Sequence, residues 1–175
     1  MPRVVRFHVE GKPIPQGSIV ADKQGGKIHY YNRSEVMAFR KRIRAEALAI
    51  WGAEPSPLPI SLTVIFAMRR PLSHYRSLSW QVKDRYAEQQ YQAFVPDIDK
   101  LARAVLDALT GVAYQDDAQV ARLDLAKMYS NAWGTTVHIA ELAERTIWEV
   151  AEDATSGTAD ALQMGDYPKP SDSEG

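Results

Sequence analysis

The chain has 175 residues, 45% of them hydrophobic and 25% charged, which is enough for one domain with a sizeable core. It has no cysteine, which excludes disulfides and thiolate zinc sites, and it lacks both a signal-like apolar start and the roughly 20 apolar residues of a membrane-spanning helix, so a cytoplasmic protein is expected. The net charge of -1 hides an asymmetry: residues 1–140 hold 19 Lys and Arg against 13 Asp and Glu, a net +6, whereas the rest hold 2 against 9, a net -7. A basic body suits a polyanionic partner, although uneven surfaces also arise by chance.

Val5, Phe7 and Val9 alternate with Arg6, His8 and Glu10, the pattern of a half-buried strand. The run Gly11 to Gly17 breaks it, Asp22 to Lys27 reads as a turn, and Ile28 to Tyr31 is short and β-prone. Asn32 or Ser34 can cap a helix to about Trp51, with Val36, Phe39, Ile43, Ala47 and Ile50 along one face and a basic opposite face. Prolines 55, 57 and 59 end it, and Ile60, Leu62, Val64, Phe66 and Met68 mark a second strand. Residues 74–92, with Trp80, Tyr86 and Tyr91, read as either helix or partner-ordered loop. Asp99 suits the N-cap of a helix through Thr110 that buries Leu101, Ala104, Val105, Ala108 and Leu109, and Gly111 stops it. Gln119 to Tyr129 and Thr135 to Leu142 read as two strands of a hairpin, followed by a helix to about Val150. From Asp153 to Gly175 there is little to bury, and disorder is expected.

The segment Val95-Pro96-Asp97-Ile98-Asp99 is the first candidate for chemistry. Pro96 biases the residue before it toward extended backbone, where residues two apart face one side, so Asp97 and Asp99 can converge on one hard cation. A helix of about 11 residues is roughly 16 Å long, and the six residues Gly111 to Asp116 can span about 20 Å when extended. Asp117 can therefore return beside Asp97 and Asp99, with Asp116 joining it. Clustered carboxylates in a cysteine-free chain favour Mg2+, with Mn2+ as a substitute, and metal-assisted phosphodiester cleavage follows. Each residue also has a plainer reading. Asp99 can be only a cap, Asp107 can pair with Arg103 one turn earlier, and Asp116-Asp117 can be an ordinary turn.

The run from Pro96-Asp97-Ile98-Asp99-Lys100 through Leu109-Thr110-Gly111 to Gln115-Asp116-Asp117-Ala118-Gln119-Val120, followed by Lys127, resembles the signature of RusA-type Holliday junction resolvases. Gly11-Lys12-Pro13-Ile14-Pro15-Gln16-Gly17-Ser18 is similar to that family's N-terminal segment, so the resemblance spans residues 3–142. It implies an α+β (mixed α/β) domain with a mixed or antiparallel sheet packed by helices, expected over residues 1–152; the acidic tail at 153–175, read from composition, lies outside the resemblance. It also implies a homodimer that uses a divalent metal to make paired nicks across four-way DNA junctions, with Asp97, Asp99 and Asp117 essential and no organic cofactor. Where the family often has Asn and Lys, this chain has Lys100 and Arg103. Arg103 keeps the positive charge but cannot act as a base, a role that would fall to Lys127.

Under that reading Lys12, Arg33, Arg40, Lys41, Arg44, Arg69, Arg70 and Lys100 become candidates for phosphate contacts that position DNA without reading sequence. A solvated basic helix face is the competing explanation. Tyr30, Tyr31, Tyr75 and Trp80 are candidates for stacking on unpaired bases, against ordinary packing. Two other functions fit the same residues: a junction-binding protein that does not cut, and a metal phosphohydrolase of small phosphate esters.

Overall fold

Strand β4 (Ile60–Arg69) organises the sheet. Its residues Ile60, Leu62, Val64, Phe66 and Met68 are buried on one face, Ser61, Thr63, Ile65 and Ala67 on the other are half-buried, and strands pair with it along both edges. The computed structural model, which describes residues 2–17, 19–21, 28–30, 33–76 and 81–142, places β4 inside a mixed sheet of order β1-β6-β4-β5. The other strands are β1 (Val4–Glu10), β5 (Val120–Ser130) and β6 (Gly134–Glu141). β5 runs parallel to β4, whereas β6 is antiparallel to both β4 and β1. A separate pair, β2 (Ile19–Ala21) and β3 (Ile28–Tyr30), is antiparallel.

The expected hairpin of the last two strands is not formed, because β4 lies between β5 and β6. Residues 131–133 must step across two strand spacings, about 10 Å, which so few residues manage easily. A turn signal therefore does not distinguish a hairpin from a step over one strand.

Two helices cover one face of the sheet. Helix α1 (Arg33–Trp51) buries Val36, Phe39, Ile43, Ala47 and Trp51, while Ile50 is left exposed, contrary to expectation. The buried positions follow a spacing of three to four residues that carries Trp51 inward, under the Arg3 guanidinium 4.3 Å from its ring. Between β4 and β5 come α2 (Asp84–Ala87) and α3 (Ile98–Leu109). Helix α3 buries Leu101, Ala102, Ala104, Val105, Ala108 and Leu109. Each large apolar side chain buried here contributes about 1.5–3 kcal/mol.

The 72–92 stretch is neither one helix nor one loop. A 3-10 turn (Leu72–His74) and α2 are joined by His74, whose ring stacks on Tyr86 at 3.8 Å and meets Tyr129 edge-on at 5.4 Å. The turn expected at Asp22 to Lys27, Tyr31, Asn32, Trp80, the helix to Val150 and the acidic tail lie outside the described residues. Among the described residues no helix is long and apolar enough to cross a membrane.

Candidate active site

The N-terminal end of α3 gathers most of the candidate residues. The helix begins at Ile98, so Asp97 and not Asp99 occupies the N-cap, with φ -66 and ψ 137 and no side-chain capping bond. Asp99 therefore sits in the first turn, and the extended segment expected through Asp99 ends one residue after Pro96. Ile98, the first residue of the helix, packs partly buried against the core. Lys100 Nζ donates to Asp97 Oδ2 at 2.6 Å. That hydrogen bond, then the charge of Lys100, then that of Lys127, hold the Asp97 carboxyl below its usual range, outweighing a small desolvation. The same pairing raises Lys100, with Asp99 adding to it.

Strand β5 is fastened to this end. Lys127 Nζ reaches from the strand to the carbonyl oxygens of Phe94 (2.6 Å) and Pro96 (2.8 Å). The segment before Asp97 is also laid along the outer edge of β5: Gln92 N donates to Lys127 O, and Tyr129 N to Gln90 O. Sequence reasoning missed Gln16, which completes this end. Its amide donates to Lys100 O at 3.0 Å, and its Oε1 accepts from Arg40 at 2.8 Å. The hint lay in the Gly- and Pro-bearing run that carries it. Arg103 is exposed one turn beyond Asp99, on the same helix.

Asp117 does not return to this end. Residues 110–116 fold back at the C-terminal end of α3. Gly111, at φ 71, donates to Tyr114 O at 2.7 Å, and Val112 and Ala113 both donate to Leu109 O. The Tyr114 hydroxyl, buried and raised well above its usual pKa by desolvation and then by the charges of Asp117 and Asp107, donates to Leu106 O. The twelve residues of α3 thus separate Asp117 from Asp97 and Asp99 by about 18 Å. The loop is compact because Val112, Ala113 and Tyr114 are buried in the core, so it cannot be drawn out to 20 Å. Asp116 caps the 3-10 turn Asp117–Gln119: its carboxylate accepts from Ala118 N at 2.9 Å, and Gln119 reciprocates.

Among the described residues no three Asp, Glu or His side chains gather to hold a metal ion. The oxygen-only donor set is the right chemistry for Mg2+ or Mn2+, but one chain brings only Asp97 and Asp99 to one place, and they do not make a complete site.

The basic candidates divide. Arg40 pairs with Asp107, which therefore does not pair with Arg103, and Arg44 donates to Thr110 O at 3.0 Å; both tie α1 to α3. Arg70 donates to the carbonyls of Tyr86 and Gln89 and lies 4.8 Å from the Tyr129 ring centroid. Lys12 sits 5.7 Å from the Trp133 ring centroid. Lys41 and Arg69 are exposed, the former beside a shallow cleft between α1 and α3 that Met37, Arg40 and Arg44 also line. Of Arg33 only the backbone, at the start of α1, is described.

A protein of Bacillus subtilis (strain 168) called "Uncharacterized protein YqaN" is 28% identical over 143 residues, covering 79% of this chain and 97% of the relative. Residues 10–140 match the family described as "Endodeoxyribonuclease RusA". That match takes in β2 to β5, all but the last residue of β6 and both ends of α3, and reaches only the last residue of β1, so the chain belongs to the RusA endodeoxyribonuclease family.

Proposed function

We propose that this protein cuts four-way and related branched DNA by hydrolysing phosphodiester bonds in symmetric pairs, as a homodimer and with Mg2+, or Mn2+ in its place. The observation that carries the reading is the family match over residues 10–140, together with an anionic Asp97 held beside Asp99, Lys100 and Arg103. Asp97 is suited to a permanent negative charge and not to donating a proton, since Lys100 and Lys127 favour its ionised form. A bound magnesium ion would supply charge neutralisation at the scissile phosphate.

Lys12, Arg33, Lys41, Arg69 and Arg103 are proposed to meet phosphates. Lys100, Arg40, Arg44 and Arg70 have intramolecular partners and are proposed to hold the surface on which DNA rests. The catalytic body is proposed to be residues 1–152, with 153–175 dispensable for folding.

Purified protein incubated with a labelled four-way junction, a linear duplex of the same sequence and a simple phosphate ester tests this directly. Paired cuts near the crossover that require Mg2+ or Mn2+ and stop in chelator are expected. Junction binding without cutting would replace the proposal with an architectural role, and release of phosphate from the ester alone with a phosphohydrolase.

A further inference from the structure

Where β4 ends, a small aromatic cluster forms apart from the main core. His74, buried at 7% exposure, stacks on Tyr86 at 3.8 Å and 9° and meets the Tyr129 ring edge-on. A guanidinium rests on each tyrosine: Arg70 lies 4.8 Å from the Tyr129 ring centroid, and Arg85 lies 4.7 Å from that of Tyr86. None of these three rings belongs to the core under α1 and α3, so the cluster can open while that core stays closed.

The cluster begins a line of attachments that ends at Asp97. Arg70 donates to Tyr86 O at 3.2 Å and to Gln89 O at 2.6 Å, and Tyr129 N donates to Gln90 O at 2.7 Å. Further along, Lys127 Nζ holds the carbonyls of Phe94 and Pro96. Five carbonyls between residues 86 and 96 are thus held in succession by donors at the ends of β4 and β5, up to the N-cap of α3. Helix α2 is a single turn of four residues, too short to stand alone, so the early part of this line depends on the stack. Lys83 closes it, its N donating to His74 O and its Nζ to Ser73 O.

His74 suits this place only when uncharged. In the charged ring both nitrogens carry hydrogen, and the buried Nδ1 has no acceptor among the described residues. The charges that act on the ring are positive: Arg70 from β4, then Arg85 of α2 and Lys83 at its N-cap. Tyr86 and Tyr129 are the titratable side chains stacked against it, and the Asp84 carboxylate, 91% exposed, is paired with Arg76. Protonation would add a further cation at a buried position with nothing to receive its hydrogen. Resting on the nuclease reading above, we propose that residues 72–92 form a brace that positions Asp97, that Arg70 and His74 are its positioning residues, and that protonation of His74 opens the brace.

Hydrogen exchange read by mass spectrometry follows the brace without need of activity. After correction for intrinsic rates, peptides covering 83–92 should exchange about fivefold faster or more at about pH 5 than at about pH 7.5, while peptides of α3 keep their protection. His74→Phe keeps a ring against Tyr86 and takes no proton, so it should remove that difference. Arg70→Met should open the same peptides at both pH values, and Arg70→Lys, which keeps the charge but loses the fork, should open them less. The parent protein's own exchange decides the matter even if a variant misfolds.

Single-turnover cleavage of a junction in saturating Mg2+ then ties the brace to Asp97. Any reaction that needs deprotonated water slows in acid, so the quantity compared is the ratio of rates at the two pH values. That ratio should be about threefold larger or more in the parent than in His74→Phe. Equal exchange at both pH values, or an acid effect that persists in His74→Phe, would overturn the inference, as would an opened brace with equal rate ratios. A protein that never cuts DNA would refute the nuclease reading, and its exchange pattern would still decide whether the brace opens.

Discussion

Lys127 Nζ donates to the carbonyl oxygen of Pro96 at 2.8 Å, so the strand end of β5 and the peptide bearing Asp97 move as one piece. A second bond to Phe94 O at 2.6 Å makes the ammonium a clamp on a segment with few other anchors. Hydrogen bonds to charged donors contribute about 1.5–3 kcal/mol when one partner is removed, so Lys127→Met should lower stability by roughly 2 kcal/mol. Cleavage should fall further than that loss of folded protein explains, because Asp97 is released. Chemical denaturation and cleavage rates measured on the same preparation check both, and unchanged values would show that the clamp is dispensable.

Asp97→Asn, Asp99→Asn and Asp117→Asn should each lower cleavage by about 100-fold or more while the protein stays folded, since charge stabilisation in the transition state is lost. Junction affinity should hold or rise modestly, because a negative charge facing phosphates has gone. Asp97 is the most exposed partner of its pair with Lys100, so its melting temperature should barely move. Cleavage rate, junction binding and melting curves for the three variants side by side separate catalysis from stability.

Arg40 offers a stability test at the other face of α3. Its guanidinium joins Gln16 on one side and Asp107 on the other, and its Nε is buried without a partner. Asp107→Ala should cost about 1 kcal/mol, because it leaves a partly buried cation with Gln16 as its remaining partner. Replacing both, as Arg40→Met with Asp107→Leu, should recover most of that loss. A double-mutant cycle by urea titration measures the coupling, and simple additivity would argue against it.

His74 gives the protein a pH dependence of definite sign. Burial first, then the charges of Arg70, Arg85 and Lys83, lower its pKa below 6.5, and its Nδ1 is buried without a partner. The unfolded chain therefore binds the proton more readily. Stability is full above pH 6.5 and is lost as pH falls through the lower folded value. His138, also lowered by burial and then by Arg6, acts in the same direction. His74→Phe keeps a ring against Tyr86 and should flatten the decline in melting temperature between about pH 6.5 and 5. An unchanged slope would assign the effect to His138 instead.

The sequence was most readable where periodicity is strong. Val36, Phe39, Ile43 and Ala47 on α1, and Leu101, Ala104, Val105, Ala108 and Leu109 on α3, are buried as their spacing demands. The alternating strand at Ile60 was equally plain. What escaped was non-local. Nothing near Ser130 or Gly134 says that β4 will lie between their strands, since that depends on pairing with a strand 60 residues away. The reach of Asp117 was estimated from the length of Gly111 to Asp116, yet Val112, Ala113 and Tyr114 are core residues and hold that loop tight. Arg40 read as a phosphate contact and Asp107 as a partner of Arg103 for the same reason: the two belong to different helices and meet only after folding.

The pairing of β1 with β6, which sets Val4 against Ala140, has a consequence for how the protein is made. The first strand to leave the ribosome waits for nearly the last one, and β4 waits some 60 residues for the parallel strand that flanks it. Such long-range pairings make folding slow and leave hydrophobic strands uncovered meanwhile. A polypeptide stopped short of Gly134 would hold α1, α3 and the central strand and still lack β6, which joins β1 to β4. Interrupted synthesis should therefore yield aggregation-prone fragments and no shortened but working protein.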